Sequence, residues 1–351
     1  MYRYEDITTV HIEPTQLCNA ACPQCDRNQN GGWDNPYLTG ADLTLADYHK
    51  IFPASFIRQL KTIFMCGNLG DPCVSKDSLE AFRYFRGINP RVWLSMNTNG
   101  GARDEEHWTE LAKVFGRMGA VIFSIDGLED TNHLYRQKVN WHSVMRNAKA
   151  FIDAGGRARW DFIVFKHNEH QVEEAQQLSN DLGFETFQVK KTGRFFSTVK
   201  HKGKESHQAV NKKGELTQKL EKPKNKYVNK ALHKEKELVA KHGSMDNYYK
   251  QVKIDCKVKK EKSIFITAEG MLMPCCWVGG QMYKWYWPPK HSDVWPFIDK
   301  QDLDVKTNSL KDVMNGPFLK AIENSWEDES RPKVCANKCG VEFDQFTEQF
   351  K

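Results

Sequence analysis

The chain has 351 residues, of which 40% are hydrophobic and 27% charged, and its formal net charge is +6. These values predict a soluble globular protein of two or three domains, and the absence of any run of about 18 apolar residues excludes a membrane span and a membrane partner. The N-terminal stretch MYRYEDITTVHIEP has neither the basic nor the apolar segment of a secretory signal. We therefore expect a cytoplasmic protein whose ten cysteines are reduced.

The first 195 residues alternate strand and helix patterns, as expected for repeated βα units. Strand patterns, rich in branched and aromatic residues, occupy residues 8–15, 61–67, 91–100, 120–127, 159–166 and 184–191. Helix patterns occupy residues 42–56, 75–88, 104–118, 140–155 and 169–183. Thr44 is the predicted N-cap of the first helix. Because strands that alternate with helices pair in parallel through right-handed crossovers, the sequence predicts a partial (β/α)6 barrel.

Polar, glycine-rich and cysteine-rich segments follow the predicted strands. In chain order they are LCNAACPQC, CGNLGDPC, NTNGG, SIDG, KHNEH and KKTGR. The carboxyl ends of parallel strands meet at one mouth of a barrel, where such folds carry their chemistry. We therefore expect these segments to form one site.

A lysine-rich segment follows the sixth predicted strand. Between Lys200 and Lys262 there are 19 lysines against 8 acidic residues, a net charge of +11, so the rest of the chain is slightly acidic. Residues 200–226 have few large apolar side chains and are predicted to be an exposed loop, whereas residues 227–252 have the spacing of a surface helix. The charge suits an acidic partner or nucleic acid. The segment lacks the arginines and interleaved aromatics of a nucleic-acid reader, which favours a solvated loop.

The remainder of the chain has a different pattern. Residues 263–277 predict a β-hairpin with Glu269 and Gly270 at its turn. The aromatic run over residues 282–297 is either a wall for substrate or a cover for a metal site. A helix predicted over residues 309–326 leads to the last two cysteines.

The cysteines lie in clusters that are typical of metal ligands rather than of disulfides. Cys18, Cys22 and Cys25 have the spacing C-x3-C-x2-C within one short loop. Three thiolates on an iron–sulfur cubane leave one iron open for a substrate or cofactor, whereas electron-transfer clusters are normally held by four. The alternative is a zinc site in which His11 supplies the fourth ligand.

These strand-end segments resemble, in order, those of the radical S-adenosylmethionine (radical SAM) family. HIEPTQLCNAACPQC resembles the family's cysteine signature, with Gln24 where an aromatic residue is usual. CGNLGDPC, with aspartate in place of the commoner glutamate, resembles the stretch that binds the methionine amino group, and NTNG and SIDG resemble the next two strand ends. The residues that the resemblance assigns to the cofactor are Gly67, Gly70, Asp71, Asn97, Asn99, Ser124 and Asp126.

The resemblance also implies an activity. A [4Fe-4S] cluster on the three clustered cysteines would bind S-adenosylmethionine and cleave it reductively to a 5′-deoxyadenosyl radical, which abstracts a substrate hydrogen atom. The electron would come from a flavodoxin- or ferredoxin-like donor. Lys166 and Arg194, near the ends of the fifth and sixth strands, are candidates for binding the cofactor carboxylate or a substrate anion, with a solvated surface role as the alternative.

Five cysteines lie in the C-terminal part of the chain. Their spacing resembles that of the auxiliary-cluster domains called SPASM and twitch, and their number suits the shorter twitch form, with one further [4Fe-4S] cluster. The implied ligands are Cys256, Cys275, Cys335 and Cys339, with Cys276 as a substitute for Cys275. Four thiolates would also suit a structural zinc.

The predicted organisation is an α/β protein in three segments. Residues 1–196 form the partial (β/α)6 TIM-like barrel, residues 197–250 the lysine-rich linker with a helix, and residues 251–351 a small α+β twitch-type iron–sulfur domain. Cys66 and Cys73 flank the glycine-rich turn. Cys66 is the candidate hydrogen-atom donor or substrate contact, although a small buried residue is the simpler interpretation of each.

Three functions remain open at this point. The first is modification of a peptide or protein. The basic segment favours this function, whereas the early position of Cys18 weakens it because there is no room for a preceding peptide-recognition domain. The second is two-electron oxidation of a small, sugar-like molecule. The third, of a different class, is a non-catalytic iron–sulfur or zinc protein that binds nucleic acid through its lysines.

Overall fold

The computed structural model describes residues 1–195 and 206–343. Within these ranges the strands are β1 (Thr9–Ile12), β2 (Thr62–Cys66), β3 (Trp93–Thr98), β4 (Gly119–Ser124), β5 (Ala158–Val164), β6 (Thr186–Lys191), β7 (Ser206–Val210), β8 (Leu216–Glu221), β9 (Ser263–Ile266) and β10 (Leu272–Met273). Eight of them form one open sheet in the order β10-β9-β1-β2-β3-β4-β5-β6, and β7 and β8 form a separate hairpin.

Helices cover the outer face of the sheet and build the C-terminal part. In chain order they are α1 (Leu45–Ile51), α2 (Ala54–Gln59), α3 (Ser78–Ile88), α4 (Glu105–Phe115), α5 (Asn132–Tyr135), α6 (Trp141–Asp153), α7 (Val172–Asp181), α8 (Ala231–His242), α9 (Met245–Gln251), α10 (Lys257–Glu261), α11 (Cys276–Gly279), α12 (Lys300–Leu303), α13 (Leu310–Asn315), α14 (Pro317–Asn324) and α15 (Lys333–Cys339). None of the helices in the described ranges is both long and apolar enough to cross a membrane.

The six strands β1 to β6 pair in parallel and in chain order, which confirms the predicted α/β partial barrel. Its outer layer is aromatic. Trp108 on α4, Phe151 on α6 and Phe123 on β4 are fully buried, with ring centroids 5.1 to 6.3 Å apart. Aromatic pairs at such distances stabilise a core beyond their buried area. The inner face and the carboxyl ends of the strands are therefore left for the site.

The first predicted helix is two short helices. Thr44 caps α1 as predicted, its hydroxyl accepting a hydrogen bond from the Asp47 backbone N–H at 3.2 Å. Pro53 stands between α1 and α2 and has no N–H with which to continue the first helix. The predicted helix over 309–326 divides in the same way at Gly316 and Pro317, between α13 and α14.

The predicted C-terminal hairpin forms and joins the barrel sheet. β9 and β10 are antiparallel, with Gly270 at φ +86° in the turn. In addition, β9 pairs in parallel with β1, from Thr9 opposite Ser263 to Ile12 opposite Ile266. The sequence pattern gave no indication of this second pairing, because it depends on a partner some 250 residues away.

The lysine-rich segment is more structured than predicted. Residues 206–221, expected to be a loop, form the hairpin β7–β8, while residues 200–205 of the expected loop lie outside the described residues. The single helix expected over 227–252 is two helices, α8 and α9. They separate at Gly243, which has φ +80°, and α9 begins with its own N-cap, Ser244.

Candidate active site

The three-cysteine loop leaves β1 and folds on itself at the mouth of the barrel. Cys22 is buried, whereas Cys18 and Cys25 are half-buried. The Cys25 backbone N–H donates to the Cys22 carbonyl at 3.0 Å, and the Asn28 side chain donates to the same carbonyl at 3.1 Å. These bonds hold the three thiols on one compact turn.

Burial disfavours the thiolate forms of Cys18 and Cys22 by raising the pKa of each. It raises the pKa of Cys22 to about 11, against the opposing effect of the Arg136 guanidinium, and it raises the pKa of Cys18 further. A coordinated metal removes the proton of a thiol outright, so binding a cluster would release protons.

A single metal ion fits this loop poorly. Within residues 1–195 and 206–343, no three His, Cys, Asp or Glu side chains are grouped closely enough to hold one ion. His11, the predicted fourth zinc ligand, is buried, and its Nε2 lies 2.9 Å from the Cys66 carbonyl oxygen while its ring stacks on Phe64. The zinc alternative at this loop therefore lacks its fourth ligand.

The glycine-rich turn after β2 needs both of its predicted glycines. A Cβ on Gly67 would collide with the Gly70 carbonyl oxygen, and a Cβ on Gly70 would collide with the Thr15 carbonyl oxygen. Beneath the turn lies Glu13, whose carboxylate accepts the Leu69 N–H at 2.5 Å and also the two adjacent backbone N–H groups. Glu13 was missed by the sequence analysis, because a lone glutamate at a strand end carries no signal of its partner.

Asp71 ties the glycine-rich turn to β3. Its carboxylate accepts the Thr98 hydroxyl at 2.8 Å, the Asn99 N–H and side-chain amide at 2.7 Å each, and the Cys73 N–H at 3.0 Å. The Asn99 amide also donates to Asn19 Oδ1 at 2.8 Å, inside the cysteine loop. The ends of β2 and β3 and the cysteine loop are thus one hydrogen-bonded unit.

Asp126 is fully buried at the end of β4 and pairs with Arg136. The Arg136 Nε lies 2.6 Å from the carboxylate, and its Nη1 lies 3.8 Å from the Cys22 sulfur. Burial raises the pKa of Asp126, and the guanidinium opposes this shift. Arg136 therefore places a half-buried positive charge beside the cysteine loop. Arg136 is not among the residues predicted from the sequence. The signal that could have found it is its position, since apart from His133 it is the first basic residue after SIDG.

The remaining predicted site residues divide into two groups. Asn97 on β3 lies opposite Cys66, and Ser124 ends β4, each half-buried at the mouth. Arg194 also lies at the mouth, donating to the Gln24 carbonyl. Lys166, in contrast, is ion-paired with a glutamate of β8 at 2.8 Å and does not reach the cysteine loop.

The flanking cysteines differ in exposure. Cys73 is buried, 1% exposed, in the core beneath the turn, whereas Cys66 is half-buried where β2 ends. Burial raises the pKa of Cys66 to about 12, and the nearby Lys190 ammonium opposes this shift.

Four C-terminal cysteines surround a second, apolar pocket. Cys256, Cys275, Cys335 and Cys339 line this pocket together with apolar side chains such as Trp277 and Trp326.

Cys276 is not among the residues that line this pocket. It begins α11, directly after Cys275. The structure thus groups four of the five C-terminal cysteines and separates the fifth.

The aromatic run packs against the cysteine loop. The Asn35 side chain donates to the Tyr283 carbonyl at 2.6 Å, and Lys284 pairs with Asp26 at 2.6 Å, one residue beyond Cys25. Tyr283 is buried, and further along the run Trp287 is 51% exposed. The run therefore forms one side of the mouth.

Comparisons with known protein families give a match for the barrel part of the chain, which carries the three-cysteine loop. Residues 12–178 match the family described as the Radical SAM superfamily. No curated protein matches the chain.

Solved structures share the fold at low sequence identity. SuiB of Streptococcus suis bound to the precursor peptide SuiA is 14% identical with a TM-score of 0.53, and the alignment covers 92% of this chain and 65% of SuiB. The chain thus spans less than two thirds of the SuiB chain. Native anSMEcpe with bound AdoMet is 13% identical with a TM-score of 0.53, covering 97% of this chain and 94% of that one. The same protein with AdoMet and the Cp18Cys peptide has a TM-score of 0.51 at 13% identity, with the same coverage. Residues 12–178 are thus similar in sequence to the Radical SAM superfamily, and the solved structures share the fold of the chain.

Proposed function

We propose that the chain is a radical SAM enzyme that modifies a side chain or the backbone of a peptide or protein by removing a hydrogen atom. The observation that carries the proposal is the hydrogen-bonded unit that joins the three-cysteine loop to the ends of β2 and β3, with Arg136 beside it. When bound, a [4Fe-4S] cluster and S-adenosylmethionine would supply the electron and the 5′-deoxyadenosyl radical. The protein's own residues bind, orient and shield these groups.

Cys18, Cys22 and Cys25 would hold the first cluster. Three thiols on one folded loop match a cubane with one open iron, and His11, the fourth ligand that a zinc site would need, is hydrogen-bonded to the Cys66 carbonyl instead. Arg136 and Arg194 near this loop would offset the negative charge of a thiolate-bound cluster.

The two charged ends of S-adenosylmethionine would meet different groups. The backbone carbonyls of residues 67–70 would accept its ammonium, and the Arg136 guanidinium would face its carboxylate, as a planar donor suits. Asn97, Asn99 and Ser124 would line the remainder. The Asp71 carboxylate already accepts four hydrogen bonds, so we assign it to holding the turn rather than to contacting the ammonium directly.

A second [4Fe-4S] cluster would occupy the pocket between Cys256, Cys275, Cys335 and Cys339. The apolar lining of this pocket, which includes Trp277 and Trp326, supports this proposal because it would shield a cluster from solvent. Since four thiolates would complete the coordination of this cluster, its role would be electron transfer rather than substrate binding.

A polypeptide substrate is favoured over a small molecule by the rim of the mouth. Trp33 on the cysteine loop is 46% exposed, and Tyr286 and Trp287 of the aromatic run are 36% and 51% exposed. Exposed aromatic side chains of this kind anchor polypeptides. Two proteins of similar fold, SuiB and anSMEcpe, have been solved with bound peptides.

The test is anaerobic reconstitution followed by dithionite and S-adenosylmethionine. We expect about eight irons per chain and formation of 5′-deoxyadenosine. Cys18→Ala should abolish cleavage, whereas Cys256→Ala should halve the iron content and leave the first cluster in place. Four irons in the unaltered protein would contradict the second cluster, and intact clusters without 5′-deoxyadenosine would contradict the activity.

The substrate class is tested by deuterium transfer. Peptides and small alcohols that carry deuterium at carbon are offered in separate reactions, and mass spectrometry follows deuterium into 5′-deoxyadenosine. We expect transfer from a peptide. Transfer from a sugar-like alcohol alone would establish the alternative substrate class.

A further inference from the structure

We infer that the outer face of the β7–β8 hairpin is the docking site of an acidic, one-electron carrier protein of the flavodoxin or ferredoxin type. The inference rests on the proposed function, which requires an external reductant. Two observations support it: the hairpin contacts the cysteine loop, and the exposed lysines of the hairpin form no ion pair with the described residues.

The hairpin has one face toward the barrel and one toward solvent. His207, Ala209 and Leu220 are buried, at 3% or less exposed, whereas Gln208 and Lys219, which pair with each other across the strands, are exposed. This alternation is that of a strand pair with one buried face. The hairpin is thus a fixed part of the surface and not a solvated loop.

The inward face is fastened to the cysteine loop. The His207 Nε2 lies 3.0 Å from the carbonyl oxygen of Pro23, which stands between Cys22 and Cys25. The Val210 N–H donates to the Asn30 carbonyl at 2.9 Å, at the far end of the same loop. A protein that docks on the outer face would therefore be separated from the loop that holds the first cluster by a single two-stranded layer.

The hairpin and the residues that follow it carry an excess of positive charge, since residues 206–226 contain six lysines and two glutamates, Glu215 and Glu221. Lys212 and Lys213 in the turn and Lys219 on β8 are exposed, and the described part of the chain gives none of them an ion pair. Two exposed lysines on barrel helices are neutralised by an ion pair, Lys113 with a glutamate at 2.7 Å and Lys149 with an aspartate at 2.8 Å. Unpaired lysines leave their charge available to an incoming acidic surface.

The composition of this surface favours an acidic protein over nucleic acid. Residues 195–330 contain no arginine. Arginine provides the planar, two-pronged donor that recognises phosphates and bases, whereas lysine acts as a hydrated point charge. A surface whose positive charges are all lysines suits the long-range electrostatic steering of an acidic protein. Redox partners associate through small, transient interfaces of this kind.

The electron count balances without any further reactant. The reduced carrier would lose one electron, and a [4Fe-4S] cluster held by Cys18, Cys22 and Cys25 would accept it, with a change from the 2+ to the 1+ state. No bond forms or breaks in this step and no atom is transferred. The subsequent cleavage of S-adenosylmethionine consumes that electron.

The test compares two variants of equal charge change in the reconstituted, full-length protein. The first is Lys212→Glu/Lys213→Glu/Lys219→Glu on the hairpin. The matched control is Lys50→Glu/Lys61→Glu/Arg91→Glu, three exposed positions at the opposite, amino-terminal end of the strands. Binding of dye-labelled plant-type ferredoxin is followed by fluorescence anisotropy, and 5′-deoxyadenosine is measured with either reduced ferredoxin or dithionite as electron source.

We expect the hairpin variant to bind ferredoxin at least about tenfold more weakly at low salt and to lose ferredoxin-driven turnover in proportion. The difference should nearly vanish at 1 M salt, where the Debye length is about 3 Å. Dithionite-driven turnover of both variants, and ferredoxin binding by the control, should stay within about twofold of the unaltered protein.

Each failure has a separate meaning. Equal losses in both variants, or no loss in the hairpin variant, would overturn the docking site. RNA binding that follows the hairpin lysines while ferredoxin binding does not would overturn it in favour of nucleic acid. Absence of 5′-deoxyadenosine with dithionite in the unaltered protein would instead overturn the proposed function, and the anisotropy measurement would still decide the docking site.

Discussion

Glu13 shows how one buried carboxyl group supports the turn that would hold the cofactor. Its side chain is 2% exposed and accepts backbone N–H groups of the turn, the shortest from Leu69 at 2.5 Å. Burial raises the pKa of Glu13 to about 7, and the hydrogen bonds from the turn limit the rise. Near neutral pH both protonation states of Glu13 are therefore populated. Burial favours the neutral form, and the hydrogen bonds from the backbone N–H groups of the turn favour the charged form.

This balance predicts a pH dependence of stability. The pKa of Glu13 is higher in the folded protein than in the unfolded chain, so the folded state binds more protons between about pH 4.5 and pH 7, and stability falls as pH rises through that window. Glu13→Gln cannot ionise. Its free energy of unfolding should therefore improve relative to the unaltered protein by up to about 3 kcal/mol between pH 5 and pH 8.

Denaturant unfolding at a series of pH values measures the difference. The control is Glu174→Gln at an exposed position of α7, for which the difference from the unaltered protein should not vary with pH. A constant difference for Glu13→Gln would show that folding does not raise the pKa of this carboxyl group.

The residues that could be predicted from sequence are those whose signal is local. Cysteine spacing is local, and so is the pair of glycines around a tight turn. Glu13 and Arg136 could not be found in this way, because their partners come from other strand ends: the turn after β2 in one case, and Asp126 with the cysteine loop in the other. A buried ion pair becomes visible only when the fold brings both members together.

At the scale of elements, the turn of residues 67–70 is the most constrained piece of the site. It approaches the backbone of the cysteine loop so closely that a Cβ on Gly70 would meet the Thr15 carbonyl carbon at 2.7 Å and the Leu17 carbonyl oxygen at 2.9 Å. Both neighbours are backbone atoms, which cannot move aside as a flexible side chain would. The same closeness lets the Asp71 N–H donate to the Leu17 carbonyl at 2.8 Å.

Gly70→Ala should therefore separate the turn from the cysteine loop. We expect a loss of about 3 kcal/mol in the free energy of unfolding and loss of measurable S-adenosylmethionine binding in equilibrium dialysis. Gly87→Ala is the matched control, since that glycine lies within α3 with nothing within 4 Å of an added Cβ. It should stabilise the protein by about 0.5 kcal/mol. Equal effects of the two substitutions would show that the turn tolerates a side chain.

Elements were predictable where their hydrophobic periodicity is strong, and less so where charge obscures it. All six barrel strands were identified from their apolar residues. The sequence of the β7–β8 hairpin predicts a loop, because its few apolar residues do not form a clear alternating pattern. Lys219 is exposed, and the buried positions include only small or isolated apolar residues such as Ala209 and Leu220. Three predicted helices are divided by local breakers whose effect on a helix is known, namely Pro53, Gly243 and the Gly316-Pro317 pair.

At the scale of the whole molecule, the barrel and the C-terminal part share one β-sheet and one hydrophobic core. β9 lies beside β1, and the same hydrophobic core includes Val10, Ile264 and Phe318. The N-terminal residues contribute as well, since Met1 lines the pocket of the four C-terminal cysteines. No sequence pattern reports which strand a β-strand will join, because parallel pairing is set by tertiary packing. The two cysteine sites are thus built on a shared framework.

This shared framework predicts that the two parts unfold together. Ile264, 1% exposed on β9, lies in the C-terminal part, and Ile264→Ala should cost about 2–5 kcal/mol through the cavity it leaves. If unfolding is cooperative, hydrogen exchange measured by mass spectrometry should accelerate equally in peptides from β4 and from α14. Val341→Ala, at a position 56% exposed, is the matched control and should change neither. Acceleration confined to α14 would show that the barrel and the C-terminal part fold independently despite the pairing of β1 with β9.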